Sequence, residues 1–202
     1  MKNSLKILLG IIVILLILIL ALVGSYNRLV NLDEQVNNNW SQVENQLQRR
    51  VDLIPNLVET VKGYAKHERE VFERVIQARN AAQANHGSPE AQARDENVLI
   101  GGLRQLFALA ENYPDLKANQ NFLQLQGELS NTEDRIQRSR RFYNGNVRDL
   151  NTRIDVFPSN VIAGMFNFQK KGFFEIEDAV ARETPKVRFY AESTGRAGGK
   201  FQ

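Results

Sequence analysis

Histidine is the side chain most often used for metal binding and acid–base chemistry near neutral pH. The chain has two, His67 and His86. Glu68 follows His67, but no second histidine stands three or four residues away, so the helical zinc-protease motif is absent. The chain also has no cysteine, which excludes disulfides, thiolate chemistry and thiolate zinc sites. We interpret both histidines as solvated surface residues.

Carboxylates and arginines offer a second route to chemistry. Glu128 and Glu133, with Thr132, are placed to meet Arg50 or Arg140 inside a helical bundle. A buried polar cluster of this kind more often fixes how helices pack than serves as an active site. The glycine-rich phosphate-binding motifs and the nucleophile motif of serine hydrolases are absent. We therefore predict that the protein is not an enzyme, with no catalytic residues, metal, cofactor or small-molecule substrate.

Basic residues form no nucleic-acid-binding pattern, because 26 Lys and Arg are interspersed with 23 Asp and Glu. The strongest basic cluster consists of Arg138, Arg140, Arg141 and Arg148. It suits phosphates of nucleic acid or lipid, or pairing with neighbouring acidic residues, and we favour a solvated or paired face. Lys170-Lys171 before Phe173-Phe174 suits a membrane interface or protein packing, and we favour packing.

Four asparagines lie near apolar positions of the predicted helices: Asn56, Asn119, Asn144 and Asn151. An asparagine in a helix seam can fix the register of packing at some cost in stability. We interpret these residues as structural, with contacts between copies of the chain as the alternative.

The strongest signal in the sequence lies near the N-terminus. Residues 7–24 contain no charge and no polar side chain. A helix of that length spans about 27 Å, close to the hydrocarbon core of a bilayer, and Tyr26 suits the headgroup level. The alternative is a cleaved signal peptide, but its apolar region runs only about 7–15 residues, and Leu22-Val23-Gly24 is a poor cleavage site. We predict a transmembrane anchor at residues 7–25.

The flanking charges predict the topology. Lys2 and Lys6 precede the apolar run, whereas Arg28 is the nearest basic residue after it, beside Asp33 and Glu34. Positive charge favours the cytoplasmic side. We therefore predict a single-pass membrane protein with residues 1–6 in the cytoplasm and residues 26–202 outside.

Beyond the anchor, apolar residues recur at helical spacing, and strand patterns are absent. The first stripe steps by three or four residues through Leu29, Leu32, Val36, Trp40, Val43, Leu47, Val51 and Ile54. Pro55 offers no N–H to the Val51 carbonyl, so we expect a kink or a fresh start there before the stripe resumes towards residue 84. Ser88-Pro89 is a strong start for a second helix, in which Gly101-Gly102 indicates close packing.

Tyr113-Pro114 ends that helix, and a last long helix carries an apolar stripe from Phe122 to Phe157. We expect a short helix at residues 161–166, capped by Ser159, and docking of Phe173 and Phe174 onto the bundle. The predicted fold is all-α: a transmembrane helix, then an elongated antiparallel bundle of three main helices and a short C-terminal one at residues 26–174. Residues 175–202 are predicted to be mostly disordered, because the pattern fades there.

Several segments together resemble the LemA family. They are residues 26–30 (YNRLV), Asn39-Trp40, residues 50–58 (RVDLIPNLV), residues 113–119 (YPDLKAN), residues 129–133 (LSNTE), Tyr143-Asn144 and residues 157–160 (FPSN). The resemblance covers about residues 1 to 175. It implies a bacterial protein with an N-terminal membrane anchor and a helical bundle, without an established activity and without catalytic residues to carry over.

The resemblance also implies work at the membrane. By this resemblance, relatives include a protein of magnetosome formation, and the genes of family members often lie near genes for envelope metalloproteases. Our preferred hypothesis is a non-enzymatic scaffold of the bacterial inner membrane, with its bundle in the periplasm. It would self-assemble through its long helices, with the lipid bilayer and other copies as partners, to organise or remodel the envelope membrane. The alternative is an adaptor or regulator of an envelope protein such as a membrane metalloprotease.

Overall fold

The computed structural model describes residues 2–176. Its first helix, α1 (Lys2–Lys62), has 61 residues, which corresponds to about 92 Å. The apolar run at residues 7–24 and the stripe that begins at Leu29 belong to this one helix, with no loop between them. The predicted anchor and the first bundle helix are therefore a single continuous element.

Pro55 lies inside α1 and does not end it, so the fresh start considered there is not found. The Val51 carbonyl, which Pro55 cannot serve, accepts a hydrogen bond from Arg79 Nε at 3.4 Å. A side chain from another helix thus replaces the donor that proline lacks, which is one way in which a helix tolerates an internal proline.

The chain turns back after Lys62 instead of continuing to residue 84. A second helix, α2 (Arg69–Ala84), follows, and its contact from Arg79 to Val51 shows that it runs antiparallel to α1. The remaining helices are α3 (Pro89–Ala110), α4 (Pro114–Lys117), α5 (Gln120–Asp155) and α6 (Ser159–Met165). The all-α fold is confirmed, but the bundle has four main helices, α1, α2, α3 and α5, because the predicted helix from about 27 to 84 is two.

The helix starts follow local capping chemistry. Ser88 Oγ accepts from the Ala91 N–H at 3.3 Å and caps α3 as predicted. Asn119 caps α5, since its Oδ1 accepts from the Phe122 N–H at 3.0 Å. The cap predicted for Ser159 is wrong, because α6 begins at Ser159 itself and its hydroxyl donates to the carbonyls of Arg153 and Val156.

The core consists of two apolar clusters stacked along the bundle. The distal cluster joins the end of α1 to α2, α3, α4 and the start of α5, from Ile54 on α1 to Leu129 on α5. The proximal cluster lies nearer the apolar run and joins Leu29–Leu47 of α1 to the later part of α5 and to α6. Since apolar burial drives folding, these two clusters hold the helices together.

The paired glycines of α3 give a matched test of this packing. An added Cβ at Gly102 would meet Val75 Cγ2 of α2 at 3.4 Å, whereas Gly101 has open space around it. We expect Gly101→Ala to raise the free energy of unfolding by about 1 kcal/mol through helix propensity. Gly102→Leu should lower it by about 1–3 kcal/mol through overpacking. Urea titration of both variants would show this split; equal effects would contradict the close approach of α2 and α3.

Candidate functional site

The first functional feature is the apolar run of α1, which the bundle does not bury. None of the 18 most apolar residues is buried, and Leu15, in the middle, is 52% exposed. An unburied run of this length cannot be the core helix of the bundle. α1 is long and apolar enough to cross a bilayer, and among residues 2–176 it is the only such helix.

The second feature is a buried charge cluster made of Arg50, Glu96 and Glu133. Arg50 is only 2% exposed. Its Nη1 donates to Glu133 Oε2 at 2.8 Å, and its Nη2 donates to Glu96 Oε2. Glu96 is buried with it, whereas Glu133 reaches the edge of the bundle and is about one-third exposed. One arginine from α1 thus joins α3 and α5.

The charge cluster lies at the boundary between the two apolar clusters. On α1, Arg50 stands between Leu47 of the proximal cluster and Ile54 of the distal cluster. Glu96 and Glu133 occupy the same boundary on α3 and α5. Burial lowers the pKa of the Arg50 guanidinium and the Glu133 carboxylate opposes the shift, but an arginine remains protonated at neutral pH. We interpret the cluster as a charged layer that fixes the helices at one register.

The cluster matches the sequence prediction in part. Arg50 and Glu133 meet as expected, and Thr132 is buried beside them with its hydroxyl donating to the Glu128 carbonyl at 2.8 Å. The Glu128 carboxylate is not in the cluster and accepts from Gln124 on the same helix. Glu96 was missed. Its signal was its place on the apolar stripe of α3, three residues after Ala93 and three before Leu99.

A third feature is an extended segment, residues 168–176, that lies along α5. Asn151 clamps Lys171, accepting from its N–H and donating to its carbonyl, each at 2.9 Å. Asn144 does the same to Phe174, at 2.9 and 3.0 Å. Because the asparagines are seven residues apart on α5, they share one helix face and grip the segment twice.

Aromatic packing and further hydrogen bonds complete this docking. The Phe174 ring is fully buried and lies 5.4 Å from Trp40 between ring centroids. Tyr143 donates its hydroxyl to the Gly172 carbonyl at 2.8 Å. Burial, with a smaller effect of Glu90, raises the pKa of Tyr143 to about 12, so the hydroxyl keeps the proton that it donates. Arg140 donates to the Ile176 carbonyl at 2.7 Å.

The pattern of the LemA family matches residues 39–189, three-quarters of the chain. The chain belongs to the LemA family. The segments that suggested the family coincide with the features above: Trp40 packs on Phe174, Arg50 centres the charge cluster, and Tyr143-Asn144 hold the extended segment.

Relatives of the LemA-family chain include Magnetosome protein MamQ 2 of Paramagnetospirillum magneticum, 25% identical over 194 residues that cover 84% of this chain and 71% of the relative. Protein LemA of Metamycoplasma hominis is 26% identical over 159 residues, which cover 77% of this chain and 71% of that protein. Magnetosome protein MamQ of Magnetospirillum gryphiswaldense is 24% identical, with coverage of 84% and 71%.

The remaining candidates lie on the surface. His67 and His86 are exposed and far apart in sequence, and no group of three metal-ligating residues occurs within the described part of the chain. Three of the four clustered arginines, Arg138, Arg141 and Arg148, are also exposed.

Two sequence interpretations are settled by packing. Asn56 is exposed, so its predicted seam position is wrong. Lys170 and Lys171 pair with Asp155 at 2.8 Å and Asp33 at 3.0 Å, while Phe173 and Phe174 pack against the proximal cluster. The packing interpretation of this lysine–phenylalanine stretch is therefore confirmed, and Ile176 is docked as well, although the tail was predicted to begin at Glu175. The predicted disordered tail from residue 177 lies outside the described residues.

Replacing Asn144 by alanine tests the clamp. The Phe174 N–H and carbonyl would both lose their partner, which costs about 1–3 kcal/mol locally. We expect the Phe174 amide to exchange with solvent roughly tenfold to a hundredfold faster in hydrogen-exchange NMR. Asn131→Ala, at an exposed position of the same helix, is the control and should leave that rate unchanged. Unchanged exchange in Asn144→Ala would mean that the segment is held elsewhere.

Proposed function

We propose that this LemA-family chain is a non-enzymatic scaffold of the bacterial inner membrane, which assembles side by side through its helical bundle. The observation that carries the proposal is the continuity of α1. One uninterrupted helix crosses the bilayer and then forms the wall of the bundle, so the bundle stands at a fixed height and rotation above the membrane. Copies held in this way present matching faces to one another, which favours lateral association.

Charge and similarity support the direction of the proposal. Lys2 and Lys6 precede the apolar run, whereas only Arg28 follows it closely. This excess of positive charge favours the orientation with the N-terminus in the cytoplasm. Similarity to proteins named for the magnetosome supports a role in organising membrane. The buried carboxylate of Glu96 is engaged by Arg50, which favours a structural use over catalysis.

The test is to count copies in a bilayer. Full-length chain carrying one fluorophore would be reconstituted into vesicles of phosphatidylcholine and phosphatidylglycerol at increasing density, and photobleaching steps would be counted. We expect assemblies of more than two copies that grow with density. Discrete monomers at high density would overturn self-assembly. Crosslinking in native membranes that recovers an envelope protein, and not a second copy, would instead support the adaptor role.

A further inference from the structure

Exposed apolar side chains gather at one end of the bundle. Five large ones within residues 156–166 are between 40% and 81% exposed: Val156, Phe157, Val161, Met165 and Phe166. Elsewhere in the described bundle, apart from Tyr26 at the end of the apolar run, exposed large apolar side chains are scattered along the chain: Tyr64, Val98, Leu123 and Phe142. A concentration of exposed apolar surface marks an interaction site. We call these five residues the base patch.

The register of α1 and α5 places the base patch along the bundle. Arg50 pairs with Glu133. Ten residues earlier on α1 and ten residues later on α5, Trp40 packs on Tyr143, so the two helices run antiparallel without a shift in register. The same step carried on brings Tyr26 of α1 level with the chain just beyond the end of α5, where the base patch begins.

Direct contacts confirm this position. The Tyr26 ring lies 4.6 Å from the Phe166 ring and 6.0 Å from the Phe168 ring, measured between centroids. Tyr26 follows the apolar run by two residues, and aromatic residues there lie at the headgroup level of a bilayer. The base patch is therefore beside the point where α1 would leave the membrane.

Two members of the base patch, Val161 and Met165, lie on the short helix α6, and the other three flank it. Both are exposed and stand four residues apart, whereas Ile162 and Ala163 between them are buried against the proximal cluster. Residues four apart share a helix face, so the exposed side chains point the same way. A segment that is apolar on its outer face as well as its inner one is suited to lie in the interface of a bilayer.

We propose that the base patch inserts into the headgroup–acyl boundary of the bilayer that α1 crosses, as a second membrane contact beside the spanning helix. We assign lipid as the partner of the base patch because the contact between Tyr26 and Phe166 joins the patch to the apolar run of α1. Arg28 and Arg153 are exposed at the same level, where they suit anionic headgroups. This inference rests on the proposed membrane anchoring of α1.

Spin labels can measure the depth of the base patch, since the native chain has no cysteine. Met165→Cys (73% exposed in the native residue) would carry a nitroxide in full-length chain, reconstituted in vesicles of phosphatidylcholine and phosphatidylglycerol. Phe142→Cys is the matched control, because Phe142 is 67% exposed but lies about 22 Å further from Tyr26 along the bundle. Leu15→Cys reports on the spanning helix itself.

The measured quantity is the ratio of collisions with oxygen, which enters lipid, to collisions with a water-soluble nickel chelate. We expect a high ratio at Leu15 and Met165 and its inversion at Phe142. A high ratio at Leu15 with a water-like ratio at Met165 would overturn this inference and leave the anchoring intact. A water-like ratio at Leu15 would overturn the anchoring itself. Low collision rates with both oxygen and nickel at Met165, together with dipolar broadening between labels, would instead assign the patch to a second copy. Val161→Cys repeats the measurement at a second position.

Discussion

Replacing Arg50 by alanine is expected to lower the free energy of unfolding by about 3–5 kcal/mol, because the change breaks a buried ion pair. The substitution would leave the Glu96 carboxylate buried without its cation, because that side chain is 3% exposed. Glu133 is about one-third exposed and can regain water, so most of the cost falls on Glu96. Urea titration of full-length chain in detergent micelles, followed by Trp40 fluorescence, would measure the loss.

Two further variants serve as controls for the Arg50→Ala measurement. Arg49→Ala removes the neighbouring, exposed arginine and should change stability by no more than about 0.5 kcal/mol. The triple change of Arg50→Met, Glu96→Leu and Glu133→Leu removes every charge of the cluster and should restore most of the lost stability. If Arg50→Ala were as mild as Arg49→Ala, the charged layer would have no structural role.

Replacing Phe174 by alanine is expected to release the extended segment from the bundle. The ring is fully buried beside Trp40, and removing a buried phenylalanine costs about 3–5 kcal/mol. Hydrogen exchange at Lys171 and Phe174 should lose its protection, and a protease should cut within residues 168–176 while the bundle stays folded.

The control for Phe174 is Phe142→Ala, since Phe142 is an exposed phenylalanine on α5. It should leave both protease sensitivity and amide exchange unchanged. Retained protection in Phe174→Ala would show that the hydrogen bonds of Asn144 and Asn151 alone hold the segment. Loss of helical circular dichroism would show instead that the segment is required for the bundle to fold.

The helices could be predicted from the sequence where a local feature, such as an apolar stripe or a capping residue, determines them. The stripe of α5 and the cap at Ser88 are local features, and both are found. The end of α1 also has a local signal, because Gly63 directly follows Lys62. The apolar stripe continues beyond Gly63, however, and it predicted one helix where the structure has two. Pro55 misled in the other direction, because the donor that compensates for it, Arg79, comes from a different helix.

The functional features were harder to predict because they depend on contacts across the fold. Arg50 and Glu133 were paired correctly, yet Glu96 resembles any exposed helix carboxylate until α3 is packed on α1. The extended segment has no periodicity, so hydrogen bonds to its backbone leave no pattern in its own sequence. Phe173 and Phe174 predicted that this segment docks, and its partners left a trace as two asparagines, Asn144 and Asn151, seven residues apart on one helix face.

Because α1 is one unbroken helix, the bundle must tilt together with the apolar run. Transmembrane helices lean by about 20° on average, and the angle changes with bilayer thickness. The part of α1 beyond Tyr26, up to Lys62, is about 55 Å long, so a change of about 10° in the lean of the span would swing the far end of the bundle by about 10 Å. A flexible loop at the membrane surface would absorb such a change. With α1 spanning the bilayer as proposed, a small difference in membrane thickness would become a large movement at the far end of the bundle.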